Sequence, residues 1–145
     1  MPRTASAILC LFLTLPALPA DPSAPWIATW AASPQDPGPL ANPKSPLLNI
    51  ENQTVRERVR VSIGGPQIRI RLSNEYGSTP LLIGGVTVAS PDGAAGVVPS
   101  TLQPVTFSRR TSVTIPAGAP VLSDPLPFPL AAGAEISIRF LNSHS

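Results

Sequence analysis

Hydrophobic and polar residues alternate most regularly between Arg56 and Asn74. There Val59, Val61 and Ile63 share one parity and Arg58, Arg60 and Ser62 the other. After Gly64-Gly65-Pro66 the alternation resumes, with Ile68, Ile70 and Leu72 set against Arg69, Arg71 and Ser73. A period of two is that of a strand with one buried face, so the stretch predicts a β-hairpin with an apolar face and a cationic face. Placing both apolar sets on the same side requires an even loop. A two-residue turn would set Pro66, which has no N–H, opposite Ile63, so the expected loop has four residues, Gly64 to Gln67. That register pairs Ile63 with Ile68 and Arg60 with Arg71.

The remaining pattern is also that of strands. Leu81 to Ala89 is the next candidate; it is apolar on both parities at its start, and Gly84-Gly85 predicts a bulge within it. Ser90 to Gly96 reads as a loop turning at Pro91-Asp92-Gly93, and shorter strands are expected at Val97-Val98, Val105 to Phe107 and Ser112 to Ile115. Pro116 to Pro120 has turn composition. Proline at 125, 127 and 129 forces an extended edge segment carrying Leu126, Phe128 and Leu130 on the alternate parity. Ile136, Ile138 and Phe140 mark a last strand from Glu135 to Leu141. No amphipathic helical period occurs. Together these elements predict an all-β fold, an antiparallel β-sandwich of jelly-roll type with Pro/Gly-rich loops.

Composition narrows the class. The 145 residues, 43% hydrophobic and 12% charged, suit one compact domain, and the 20 prolines and 10 glycines fall between strands as turn punctuation. Ten basic against eight acidic residues leave a net charge of only +2, too little for a polyanion-binding surface, so no nucleic-acid partner is expected. Arg3 followed by the apolar run Ala7 to Leu15 and small residues ending at Ala20 has the form of a secretory signal peptide, residues 1–20. That run is too short to span a bilayer and no second one follows, so no integral membrane segment is expected and the product is read as secreted, extracellular or periplasmic. The single cysteine, Cys10, lies in the signal, which leaves the mature chain without disulfides or thiolate metal sites. Residues 21–46 read as an extended, Pro-rich lead-in, and residues 47–145 as the sandwich domain.

Candidate chemistry is sparse. His144, the one histidine, lies next to the C-terminus with nothing rigid to orient it, and no G-x-S-x-G elbow, P-loop or His/Cys cluster is present. No catalytic residue, metal site or cofactor is therefore expected. Asn52-Gln53-Thr54 has the form of a glycosylation sequon, a pattern common by chance. Trp26 and Trp30 bracket Ile27-Ala28-Thr29; with Pro25 and Pro34 close by, they read either as anchors of the N-terminal segment or, with Tyr76, as stacking surfaces for a carbohydrate. The unusual electrostatic feature is Arg56, Arg58, Arg60, Arg69 and Arg71, expected on a single sheet face with no acid among them, where like charges destabilise a sheet. Three explanations compete. The arginines pair with acids from elsewhere (Glu51, Glu75, Asp124 or Glu135), they bind an anionic ligand, or they form an interface with another domain through planar, bidentate contacts.

Three separated motifs in order add a resemblance: Thr29 to Gln35, TWAASPQ; Asn52 to Arg56, NQTVR, continuing through Arg69 to Gly77, RIRLSNEYG; and Ser112 to Pro125, SVTIPAGAPVLSDP. Across most of the mature chain these resemble the N-terminal region of secreted bacterial SGNH/GDSL-type hydrolases, lipase- and acylhydrolase-like esterases. The resemblance implies a β-sandwich-like region ahead of an α/β catalytic domain that hydrolyses esters through a serine nucleophile, an oxyanion hole of Ser, Gly and Asn, and a histidine held by an aspartate. None of the three motifs is catalytic. No Gly-Asp-Ser is present, Asn74 does not stand in a Gly-x-Asn-Asp pattern, and Leu141 stands three residues before His144 where Asp-x-x-His needs Asp. The resemblance thus implies an accessory β-domain, inactive alone, in a chain that stops before its catalytic partner. The alternative is a free-standing exported module that binds carbohydrate or another cell-envelope polymer.

Overall fold

A computed structural model describes residues 25–34 and 53–142. The segment expected to be a signal peptide, most of the expected lead-in, Glu51, Asn52 and His144 lie outside the described residues. Within them the chain forms eleven strands: β1 (Gln53–Arg60), β2 (Gly65–Ile68), β3 (Arg71–Ser73), β4 (Leu81–Ala89), β5 (Pro91–Asp92), β6 (Gly96–Val97), β7 (Gln103–Val105), β8 (Val113–Ile115), β9 (Pro120–Leu122), β10 (Leu126–Leu130) and β11 (Glu135–Asn142). A single 3₁₀ turn, Pro99–Thr101, interrupts the strands.

All pairings are antiparallel. The larger layer runs β1-β11-β4-β7, with β8 also on β4. β4 serves two neighbours along one edge, pairing Val86 to Val88 with β7 and Leu81 to Ile83 with β8. The change falls at the predicted bulge: Leu141 lies opposite Gly85 and Asn142 opposite Ile83, which leaves Gly84 as the extra residue. The opposing layer consists of two short ladders, β2 with β10 and β3 with β9. Val59, Ile83, Val86, Val88, Ile136 and Ile138 from the first layer and Ile70 and Phe128 from the second meet in one hydrophobic core, so the fold is an all-β sandwich. On β10 the prolines at 127 and 129 are exposed while Phe128 between them is 4% exposed.

The predicted hairpin does not form. β1 pairs along its whole length with β11, from Gln53 opposite Asn142 to Arg60 opposite Glu135. The second alternating run breaks into β2 and β3, which pair with β10 and β9 in the other layer. Beyond β1 the chain stays bound to the β10–β11 turn, the Val61 amide donating to Ala134 and the Gly133 amide to Val61, and only then crosses over. Gly64 makes the crossing possible, because a Cβ there would lie 2.3 Å from the Leu130 carbonyl oxygen. Gly64-Gly65-Pro66 is thus a corner between layers. The electrostatic reason is visible in the register: the hairpin would have set Arg60 against Arg71, whereas β11 sets it against an acid. The parity itself is as expected, with Val59, Val61 and Ile70 buried; Ile63, expected inside, is 50% exposed at the crossing.

Candidate functional site

The arginines do not share one face. Arg56, Arg58 and Arg60 project from β1 on the outer side of the larger layer, opposite Arg139, Ser137 and Glu135 respectively. Arg69 and Arg71 belong to the other layer. Glu135 carries most of the compensation. Arg58 donates through Nε to its Oε2 at 2.7 Å with Nη2 at 2.6 Å from the same oxygen, and Arg60 donates through Nη2 to Oε1 at 2.8 Å. The hydrogen bond from Arg58 leads the causes that hold the Glu135 carboxyl below its ordinary value, with Arg60 adding to it. The β5–β6 turn, where Gly93 has φ of 56°, supplies carbonyls to Arg58 and to its neighbour Arg56: Gly93 accepts from Arg58 at 2.6 Å and Ala95 from Arg56. Of the acids expected to pair with these arginines, Glu135 does so through hydrogen bonds, and Asp124 feels the charge of Arg69. Beneath this turn region Ser137 is 3% exposed, and its hydroxyl has no partner among the described residues.

A second surface is built by the N-terminal segment 25–34, which lies without regular secondary structure across the crossing at Ser62-Ile63. Thr29 fixes it. Its hydroxyl accepts from the Ile63 amide and donates to the Ile63 carbonyl, both at 2.9 Å, and its own carbonyl accepts from the Ser62 amide at 3.2 Å and the Ser62 hydroxyl at 2.8 Å. Arg69 holds the strap from the other side, its guanidinium 5.4 Å from the Trp26 ring centroid while its Nε donates to the Ser123 carbonyl at 2.8 Å. The strap nevertheless keeps large apolar groups in solvent: Trp26 is 51% exposed, Ile27 63%, Trp30 46%, and Ile63 beneath it 50%. Arg71, on β3 opposite Leu122, is exposed and has no partner among the described residues. Tyr76 is exposed on the loop from Asn74 to Pro80 and does not join the tryptophans in any contact.

Two organising residues escaped the sequence pattern. The Asn74 side-chain amide donates to the carbonyls of Thr79, Ile115 and Pro116 at 2.9, 3.2 and 3.1 Å, and its backbone carbonyl accepts from Gly77 and Gly118. Asn74 therefore ties its own loop to the β8–β9 turn and has no free donor for an oxyanion. Asp124 clamps a hairpin loop at Ser108-Arg109, where both residues have positive φ, 51° and 67°. Its carboxylate accepts from the Arg109 amide at 2.7 Å, the Thr106 hydroxyl at 2.7 Å and the Ser108 amide at 3.1 Å; the Arg109 bond is foremost in lowering its pKa. The sequence signal for Asn74 was the Asn-x-x-Gly spacing of a turn, and for Asp124 there was none short of the fold itself.

No family model matches the chain, and no curated protein matches it. Among the described residues there is no group of three or more His, Cys, Asp or Glu that could hold a metal ion, and no helix long and apolar enough to cross a membrane.

Proposed function

We infer that this sandwich is a noncatalytic accessory region of an exported SGNH/GDSL-type ester hydrolase, and that the strap of residues 25–34 is its docking surface for the α/β catalytic domain. The observation that carries this reading is the strap itself: four large apolar side chains, Trp26, Ile27, Trp30 and Ile63, are held 46–63% exposed by a network of hydrogen bonds that fixes the backbone at Thr29, Ser62 and Ile63. Exposed apolar clusters of this kind mark interaction surfaces, and pinning them beforehand lowers the conformational cost of association. The three resemblance motifs support the same reading because they meet in space. Thr29 of the first anchors the strap, Arg69 of the second bridges Trp26 to Ser123 of the third, and Asn74 of the second binds Ile115 and Pro116 of the third. Arg58 and Arg60, bound to Glu135, serve as a minor rim.

Intact-mass analysis of the native exported product tests this directly. A species that contains this chain and is much heavier supports the accessory role, and a stable product of this size removes it. Retention of the chain on immobilised polysaccharide, lost in Trp30→Ala with the fold intact, would instead assign the strap to sugar stacking.

A further inference from the structure

β1 ends the larger layer on one side, and among the described residues it pairs with β11 alone. Its eight residues keep an unbroken register with β11, so its far side is a regular edge with no bulge to disrupt it. The residue that follows β1 fixes the direction of the backbone groups. Both the amide and the carbonyl of Val61 bond on the β11 side, at Ala134 and Gly133. With a period of two, Val59, Glu57 and Val55 point theirs the same way, and Thr54, Arg56, Arg58 and Arg60 turn theirs to the open edge. Ser62, the next of that outward set, shows the edge in use, because its amide donates to the Thr29 carbonyl at 3.2 Å. From Arg60 back to Thr54 the edge has no backbone partner among the described residues.

Charge restricts what can pair there. Arg56, Arg58 and Arg60 line the outer side, with Arg139 directly opposite Arg56 on β11, and Glu135 answers only Arg58 and Arg60. Arg56 donates to the neutral Ala95 carbonyl, and neither Arg139 nor Asp92, on β5, makes an ion pair among the described residues. Arg56 and Arg139 are thus a like-charge pair across the ladder, an arrangement that costs stability. The inner side has the opposite sign: Glu57 is exposed between Val55 and the buried Val59 and has no ion-pair partner among the described residues. An inward-pointing charge on an edge strand blocks indiscriminate pairing. A second copy of β1, laid antiparallel along this edge, would set arginine against arginine on the outer side in every register that keeps the faces matched. The same row is complementary to a strand with acids on its outer side and a base on its inner side.

We propose that the open edge of β1 takes up an extended acidic segment of a partner protein by strand addition, its alternate carboxylates lying along Arg56, Arg58 and Arg60 and a basic residue opposite Glu57. Main-chain bonds to the outward groups of Thr54, Arg56, Arg58 and Arg60 supply the affinity, and the alternating charges select the partner. The edge includes none of the four apolar side chains of the strap, so the two surfaces can be tested separately.

Amide exchange in the isotope-labelled full chain is the first test. The amides of Arg56 and Arg58 should exchange quickly while those of Glu57 and Val59 are protected by β11; protection at Arg56 and Arg58 in the free chain would mean that the edge is already taken, and would overturn the proposal. The end-blocked peptide Glu-Val-Glu-Lys-Glu-Val-Thr, antiparallel to Thr54–Arg60, should then bind saturably and slow exchange at Arg56 and Arg58. Added salt should weaken it. Arg56→Glu should weaken binding about threefold to tenfold, the span of a cross-strand ion pair turned into a like-charge pair, and Arg56→Gln should show the smaller part of that loss, both with the Glu57 and Val59 amides still protected. The charge-reversed peptide Lys-Val-Lys-Glu-Lys-Val-Thr should not bind. Equal binding of the reversed peptide, binding without slowed exchange at Arg56 and Arg58, undiminished affinity in both variants, or association of two copies through this edge would each overturn the proposal.

Discussion

β1 and the run from β2 to β3 carry nearly the same text, arginine alternating with aliphatic residues, yet they end in different layers with different electrostatics. On β1 the guanidinium groups find an acid across the ladder at Glu135 and carbonyls in the β5–β6 turn. In the second run Arg69 bonds the Ser123 carbonyl, lies over Trp26 and adds a minor electrostatic pull on Asp124, while Arg71 is exposed with no partner among the described residues. Period-two alternation therefore determines which side chains point inward, and the choice of partner strand depends on what a distant segment offers opposite. Here a glutamate seventy-five residues away in sequence from Arg60 outweighs the nearest complementary run.

The sharpest way to break this arrangement is at the crossing. Gly64→Ala puts a Cβ against the Leu130 carbonyl and the backbone of Ala131 and Ala132, so it should destabilise the fold by roughly 1–3 kcal/mol in urea unfolding, as overpacking does. Gly65→Ala, whose Cβ would meet nothing closer than 3.9 Å, should be near neutral. Equal effects at the two glycines would mean that the pair acts as a hairpin turn after all.

Acid titration separates the two runs next. Glu135 and Asp124 both have carboxyl pKa values lowered in the folded chain, by the Arg58 hydrogen bond and by the Arg109 amide foremost. A group of this kind adds stability above its unfolded pKa and loses it as pH falls through the lower folded value. Melting temperature should therefore decline below about pH 4, and Glu135→Gln should flatten part of that decline while lowering stability at neutral pH. Arg71→Ala should leave the acid limb unchanged.

The smallest effects distinguish the two arginines of the second run. Arg69→Ala removes the contact with Trp26 and should cost about 0.5–1 kcal/mol, with a change in tryptophan fluorescence as the strap loosens. Arg71→Ala should stay within about 0.5 kcal/mol of the parent protein.

Much of the fold is legible in the sequence where structure depends on neighbours along the chain. The limits of β4, the bulge at its glycines, the turn after β8, the proline-ruled β10 and the apolar face of β11 all follow from local pattern. The strand expected from Val105 to Phe107 instead ends at Val105, because Phe107 turns away to bridge Arg110 around the Ser108-Arg109 loop. Neither residue of that loop carries the signature of positive φ; the Asp124 carboxylate, fifteen residues on, imposes it. The candidate site was partly legible. Trp26 and Trp30 stand out by type, but their fixing depends on Thr29 meeting Ser62 and Ile63, a contact that exists only once β1 has left for β11.

The alternating prolines of β10 have a consequence for colloidal behaviour. Since Pro127 and Pro129 have no N–H, the edge of β10 that they face offers carbonyls without donors at those positions. A neighbouring copy cannot extend a ladder along such an edge, so β10 resists fibre-like self-assembly by its covalent structure alone. For a chain with a single cysteine, which can form no disulfide within itself, that protection is built in before the sandwich closes and persists whenever it opens.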